Sequence, residues 1–328
     1  MPAASECDSI AVVDTLEWLL DSDPALRWQA MRDLTRASTA AIASERTRVS
    51  HEGIGAQILN LQQADGSWRR EGAPAWLTTL FTMQLLRATG IDPADPAVEA
   101  AATRLETGLR WNDQGGRWDL RAPETGGNTF FEGEAEPCIN GGALALGAYF
   151  GRPAESLMRR LLAEQLEDGG WNCEAPKSTR SSFHTTICVL EGLCEYERAV
   201  GSPTEVTSSR KRGEDYLLRR RLYRRLSTGN IANPEFLEFA FPPRYRFDVL
   251  RALDYFRSTK SDRDARIADA VGIVQSKRQA DGRWFLDAKY DEGLAIAFNE
   301  SVNMPSRWNT LRAFRVLRWY DQSSSCIT

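Results

Sequence analysis

The sequence predicts an all-α protein, an α/α toroid of about five to six helical hairpins, and three observations carry that prediction. A Gly-x-Trp turn recurs along the 328-residue chain: "QQADGSW" ends at Trp68, "NDQGGRW" at Trp118, "QLEDGGW" at Trp171 and "RQADGRW" at Trp284. Segments with apolar residues at three- and four-residue spacing precede such turns, and a second, more apolar helical pattern follows each, after a polar or proline-containing stretch. Nowhere does the chain show the two-residue alternation of strands.

Taken in order, "TLEWLL" and "ALRWQAMRDL" supply a first hairpin, and "DSDP" (Asp21 to Pro24) between them reads as an N-cap followed by a helix-starting proline. "IGAQILNLQQ", "LMRRLLAEQL" and "ADAVGIVQSKRQ" read as outer helices that face water. "WLTTLFTMQLLRAT", "CINGGALALGAYF", "FHTTICVLEGLCEY", "RFDVLRALDYF" and "RWNTLRAFRVLRWY" read as inner helices around a central cavity. The first three turn tryptophans lie about 50 residues apart and the last gap is about twice that, so "YLLRRRLYRRLSTGN" near its middle reads as a degenerate copy. The turn glycine supplies the positive φ of a chain reversal, and the indole wedges between neighbouring helices. "AVGSPTEVTSSRKRGED" is expected to be a mobile surface loop and "DQSSSCIT" a disordered end. The expected organisation is N-terminal helices over 1–50, toroid repeats over 51–321 and a tail over 322–328.

A formal net charge of −4 disfavours nucleic acid or an anionic membrane as partner. The "RRRLYRR" run from Arg219 to Arg225 has a single interleaved aromatic, Tyr223, and is expected to lie on a solvated outer helix. No apolar stretch approaches the roughly 20 residues needed to span a bilayer, and the N-terminus lacks an export pattern. A cytoplasmic protein is therefore expected, with its six cysteines reduced. Cys326, in "CIT", stands one position short of a prenylation box and reads as part of the tail.

Aligning the inner helices on their leucines puts Cys138 of "EAEPCINGG" one repeat before His184 of "SSFHTTICVL", at equivalent ends of helices about 8–10 Å apart. Cys173 precedes the His184 helix, and Glu136 stands two residues before Cys138. Cysteine, cysteine and histidine with an open fourth position make a catalytic zinc arrangement, and Glu136 is an oxygen ligand within reach. Cys188, one helical turn below His184, is a substitute ligand. Cys194, Cys7 and His51 read as structural.

The DGxW turns, over about residues 52 to 320, resemble the QW-type repeats of terpenoid cyclases and protein prenyltransferase β-subunits, which share an α/α-toroid fold. That resemblance implies a zinc site built from an acidic residue two before a cysteine plus a histidine in an "HTxxCxxxGL"-like helix. Here these are Glu136, Cys138 and His184, with Glu where the family has Asp. Two departures stand beside it. Where prenyltransferases carry diphosphate-binding Arg and Lys, this chain has "FFEGEAEPC", acidic through Glu132, Glu134 and Glu136, and carboxylates repel a diphosphate. The D-x-D-D-type acid of protonation-initiated cyclases is absent.

Arg244, Arg246 and Arg307 fall near the starts of inner helices, where guanidinium groups either clamp a substrate carboxylate or phosphate or pair with Asp248 and its neighbours. Trp76, Tyr245, Phe247 and Trp308 supply an aromatic lining suited to an isoprenoid chain or a developing cation, or form simple core. Glu134 and Asp248 are the candidate general acid or base. The expectation is a Zn2+-dependent enzyme acting on an apolar, isoprenoid-like substrate by transfer or cyclisation, working alone, with a protein partner or as a homo-oligomer. Its alternatives are a metal-free cyclase and a non-catalytic toroid that binds a lipid or protein.

Overall fold

A computed structural model describes residues 14–111, 127–259 and 263–322. The expected Trp118 turn, Cys7, Cys326 and residues 323–328 lie outside them.

The recurring turn builds the molecule through one repeated set of bonds. At Trp68, Trp171 and Trp284 the indole N–H donates to the carbonyl ten residues back, on Ile58, Leu161 and Val274, at 2.7 Å each. The backbone N–H of the same tryptophans donates to a threonine hydroxyl on the following inner helix: Thr79 at 3.0 Å, Thr186 at 3.1 Å and Thr310 at 3.0 Å. All three indoles are fully buried. Each turn thus ties the end of an outer helix to the start of an inner one and leaves no indole donor unpaired, which would cost about 1–3 kcal/mol. Gly66, Gly169 and Gly282 supply the positive φ at these reversals.

The elements follow as α1 (Pro24–Leu34), α2 (Thr39–Thr47), α3 (Gly53–Asn60), α4 (Ala75–Ala88), α5 (Pro96–Gly108), α6 (Pro137–Tyr149), α7 (Glu155–Ala163), α8 (Phe183–Val200), α9 (Thr204–Arg219), α10 (Val249–Ser258), α11 (Ala268–Ser276) and α12 (Arg307–Gln322). A further helical stretch covers residues 14–20, and β pairing among the described residues is confined to isolated bridges. Helices α1, α4, α6, α8, α10 and α12 stand inside and the others outside, so the fold is all-α, an α/α toroid. The first hairpin closes the ring against the last. Arg315 on α12 pairs with Asp33 at 2.5 Å and donates to Gln29 Oε1 at 2.9 Å, both on α1, and Thr15 donates to the Asp281 carbonyl at 3.0 Å. As the sequence predicts, Asp23 caps α1 by accepting from Ala25 N at 2.9 Å, with Pro24 as the first helical residue; its second oxygen accepts from Ile54 N at 2.8 Å.

The closest inner packing joins α6 and α8. A Cβ on Gly141 would stand 2.5 Å from the Cys188 backbone, and one on Gly192 would stand 2.5 Å from the Gly141 carbonyl. These two glycines let the backbones touch.

Two expectations need correction. The polar "AVGSPTEVTSSRKRGED" segment is not a loop: from Thr204 it forms outer helix α9. Val206, Gly213, Tyr216 and Leu217 give α9 its buried face, while Arg210 lies between Glu197 at 2.7 Å and Glu214 one turn ahead. Such i,i+4 pairing lets a polar segment hold a helix that its mean hydropathy hides. The arginine run, conversely, is mostly not helical. Only Arg219 belongs to α9; Arg221 and Leu222 have positive φ, and Arg224 bridges to Ile231 across a short reversal.

Candidate metal centre and inner chamber

Helix α6 begins with Glu136 as its N-terminal flanking residue and Pro137 in the first turn, which fixes the extended-to-helical change just before Cys138. Ahead of it, Glu134 and Asn140 exchange hydrogen bonds: Glu134 N donates to Asn140 Oδ1 at 2.7 Å, and Asn140 Nδ2 donates to the Glu134 carbonyl at 2.6 Å. Glu134 Oε1 also accepts from Glu136 N at 2.8 Å. This buried lattice orients Glu136, whose Oε2 accepts from the Cys138 thiol at 3.7 Å. Cys173 arrives from the loop after the Trp171 turn. Asn172 shapes that loop by accepting from Glu174 N at 2.9 Å, and Ser182 N closes it onto the Trp171 carbonyl at 2.8 Å. The Cys173 sulfur lies 3.4 Å from the Thr185 hydroxyl.

Among the described residues, Glu136, Cys138 and Cys173 form the one group of three potential metal ligands whose donor atoms all lie within 4.8 Å of one another. Contact with Cys138 lowers Cys173 to about 7, while contact with Cys173 and burial hold Cys138 well above the ordinary thiol range. Cys173 is thus the more readily ionised thiol of the pair, in a half-buried site at the positive end of a helix.

His184 stands outside that group. Its Nδ1 accepts the Phe247 backbone N–H at 2.9 Å, and its ring meets Phe236 edge-on at 5.4 Å between centroids. Because Nδ1 is an acceptor, the neutral imidazole carries its proton on Nε2 and offers no second lone pair. A metal-bound histidine shows the opposite arrangement, donating from its other nitrogen. Burial, then Arg246 and Arg251, lower His184 to about 4, so it is neutral near pH 7. Cys188, the substitute ligand, is buried; its thiol donates to the Tyr245 carbonyl at 3.6 Å and accepts from Arg251 Nη2 at 3.7 Å.

The inner helices line a partly open cavity of about 340 Å³. Its walls are mixed. Phe81, Leu85, Phe241, Pro242, Pro243 and Trp308 form an apolar part, with Phe241 stacked on Trp308 at 4.5 Å. The rest is polar and carries six arginines against Glu191, Glu195 and Asp254. Of the residues expected to touch substrate, Arg244 and Trp308 line this cavity, whereas Trp76, Tyr245, Arg246 and Arg307 are not among its walls. Trp76 packs against Trp111 at 5.8 Å, Arg246 pairs with Glu235 at 3.4 Å, Arg307 lies over Trp18, and Tyr245 is exposed. Asp248 also lies off the cavity. It caps α10 by accepting from Arg251 N at 2.7 Å, and burial raises its carboxyl. Glu134 is buried beside the thiol–carboxylate group rather than at the cavity wall.

The arginines on α4, α8 and α12 are functional candidates that the reading of the sequence passed over. Their signal was charged residues at helical spacing inside otherwise apolar inner helices, as in "LRAFRVLR" and "EGLCEYER".

No protein-family model matches the chain, and no curated protein matches it. Two solved structures are similar to it. One is the type II terpene cyclase MstE from Scytonema in its apo form, at 14% identity and a TM-score of 0.48, covering 95% of this chain and 98% of that one. The other is a protein from Actinoplanes, at 14% identity and a TM-score of 0.47, with the same coverage. No helix among the described residues is long and apolar enough to cross a membrane.

Proposed function

We propose that this chain is a metal-dependent α/α-toroid enzyme whose Zn2+ is held by Glu136, Cys138 and Cys173, with the fourth position open to substrate. The observation that carries this reading is the convergence of two thiols and a carboxylate, from neighbouring ring units, within 4.8 Å. The donor set fits the ion: thiolates and a carboxylate suit zinc, and tetrahedral bonds of about 2.0–2.3 Å place ligand atoms just under 4 Å apart, a small contraction of the present group. Zinc in such a site supplies Lewis acidity. The chain's own part is to present the donors. Asn140 holds the Glu134–Glu136 segment, the Gly141/Gly192 contact draws α6 against α8, and the Asn172 turn brings in Cys173. Glu134, beside the cluster, is the nearest candidate for proton transfer. His184 positions the 236–247 segment instead of ligating.

The substrate we favour is amphiphilic rather than purely apolar, because the cavity has one aromatic and proline wall and one charged wall. Transfer and cyclisation both remain compatible with that shape. Four unpaired thiols among the described residues suit the reducing cytoplasm.

Metal analysis of protein purified without chelators tests this reading. About one zinc per chain is expected, lost in both Cys138→Ala and Cys173→Ala and kept in His184→Asn, with the helical circular dichroism signal intact in all three. Zinc-free wild type that also fails to take up added Zn2+ overturns it and favours a metal-free toroid.

A further inference from the structure

The charged wall of the chamber has no role in holding a metal, and its arginines are not all consumed by the fold. Arg87, Arg198, Arg244, Arg251, Arg312 and Arg315 line it. Three of them are tied to other side chains and carbonyls of the ring. Arg251 grips Glu191 with two nitrogens, at 2.8 and 2.7 Å, and reaches the Arg246 carbonyl at 2.6 Å with a third. Arg315 is held by Asp33 and Gln29, and Arg198 by Glu195 at 3.2 Å and by the carbonyl and hydroxyl of Ser258 at 2.8 and 3.1 Å. These are struts between inner helices.

The other three keep donors in hand. Arg87 makes one hydrogen bond, from Nη2 to Glu195 at 2.7 Å. Arg312 uses Nη1 alone for hydrogen bonds, to the Ala240 carbonyl at 3.1 Å and Asn309 at 3.3 Å, and lies 3.9 Å from Asp254. Arg244 lies flat on the Phe81 ring at 3.8 Å, gives Nη1 to Glu292 at 3.0 Å, and has its Nε buried without an acceptor. Between them stands Gln84, a wall residue whose amide makes no hydrogen bond within the protein. Gly142 makes room for that amide: a Cβ there would stand 2.6 Å from Gln84 Nε2. Helix carbonyl ends and the three wall carboxylates offset part of the positive charge. They leave guanidinium N–H groups of Arg87 and Arg312 and the Gln84 amide facing the cavity without a protein partner, and the Arg244 Nε buried with none, a donor that calls for an acceptor.

We infer that the chamber binds a small molecule through an oxyanion group, a carboxylate or a phosphoryl, gripped by Arg87, Arg244 and Arg312 with Gln84 as neutral partner. Planar guanidinium forks match both anions. A volume of about 340 Å³ holds a metabolite-sized ligand whose apolar portion lies along Phe241, Pro242 and Trp308. This assigns the charged end of the substrate. It rests on the chamber alone, so it stands or falls separately from the zinc.

Calorimetric titration at low ionic strength tests it, with inorganic phosphate and succinate as separate probes. Saturable binding of at least one, with a dissociation constant of about 1 mM or tighter, is expected. It should weaken tenfold or more in Gln84→Glu, which adds a carboxylate without removing any ion pair, and in Arg87→Gln, while a Cys138→Ser/Cys173→Ser double variant binds like wild type. Phosphate alone assigns a phosphoryl group, succinate alone a carboxylate, and both together a chamber open to either. Absence of saturable binding of both probes in folded wild type, or binding unchanged in Gln84→Glu with the thermal midpoint preserved, overturns the inference.

Discussion

The turn at Trp171 and the turn at Glu134 lead into neighbouring, touching inner helices, yet different bonds hold them. Before α8, a buried indole reaches back to Leu161 and its backbone N–H reaches forward to Thr186. Before α6, Asn140 stands at the position of Thr186 and commits both ends of its amide to the Glu134 backbone. The residues two places earlier differ in the same sense: His184 is satisfied by a distant backbone N–H, whereas Cys138 meets Glu136 and Cys173. The latch at Trp171 serves architecture, and acidic and sulfur groups collect beside the polar lattice that starts α6.

The sharpest break of this comparison is Trp171→Ala. Emptying a fully buried indole site and unpairing the Leu161 carbonyl should cost about 3–5 kcal/mol, read as a lower denaturant midpoint. A loss under 1 kcal/mol would show that the turn is not what holds the repeat together.

His184 gives the next effect. Its pKa is near 4 in the fold and about 6.5 in the unfolded chain, so between those values the unfolded state binds more protons. Its contribution, roughly 3 kcal/mol, is therefore complete above pH 6.5 and is lost as pH falls toward 4. Unfolding free energies of wild type and His184→Asn measured across that range should differ in slope, and parallel curves would mean that the imidazole is not held neutral.

Asn140→Ala should cost less, about 2 kcal/mol, by stranding the Glu134 N–H and carbonyl in a buried site. It should also weaken zinc retention, since Glu136 loses its support. Unchanged metal content beside a lowered midpoint would separate the lattice from the site.

Most of the ring was readable because its code is local. A glycine before a tryptophan and apolar residues at helical spacing on either side of it all lie within one repeat. Helix α9 was hidden, since its stability comes from Arg210 pairing with Glu197 and Glu214 and not from an apolar stripe. The Glu136–Cys138 pair was visible for the same local reason: two residues at one helix start. The partner of His184 was not, because Phe247 is 63 residues away and the tautomer follows from that one contact. The chamber's arginines were readable as letters, but nothing local tells a strut such as Arg251 from a guanidinium with donors to spare such as Arg87.

The sequence by itself determined the succession of hairpins, the turn that reverses each one and which helices face inward, because periodicity, glycine and tryptophan act over ten or so residues. Only the tertiary structure decided that Cys173 rather than His184 meets Cys138, and that the ring's interior is half aromatic and half cationic. Those outcomes depend on which donors find acceptors across the ring, and hydrogen-bond partnership between segments brought together only by closure of the toroid has no signature in the spacing of residues along the chain.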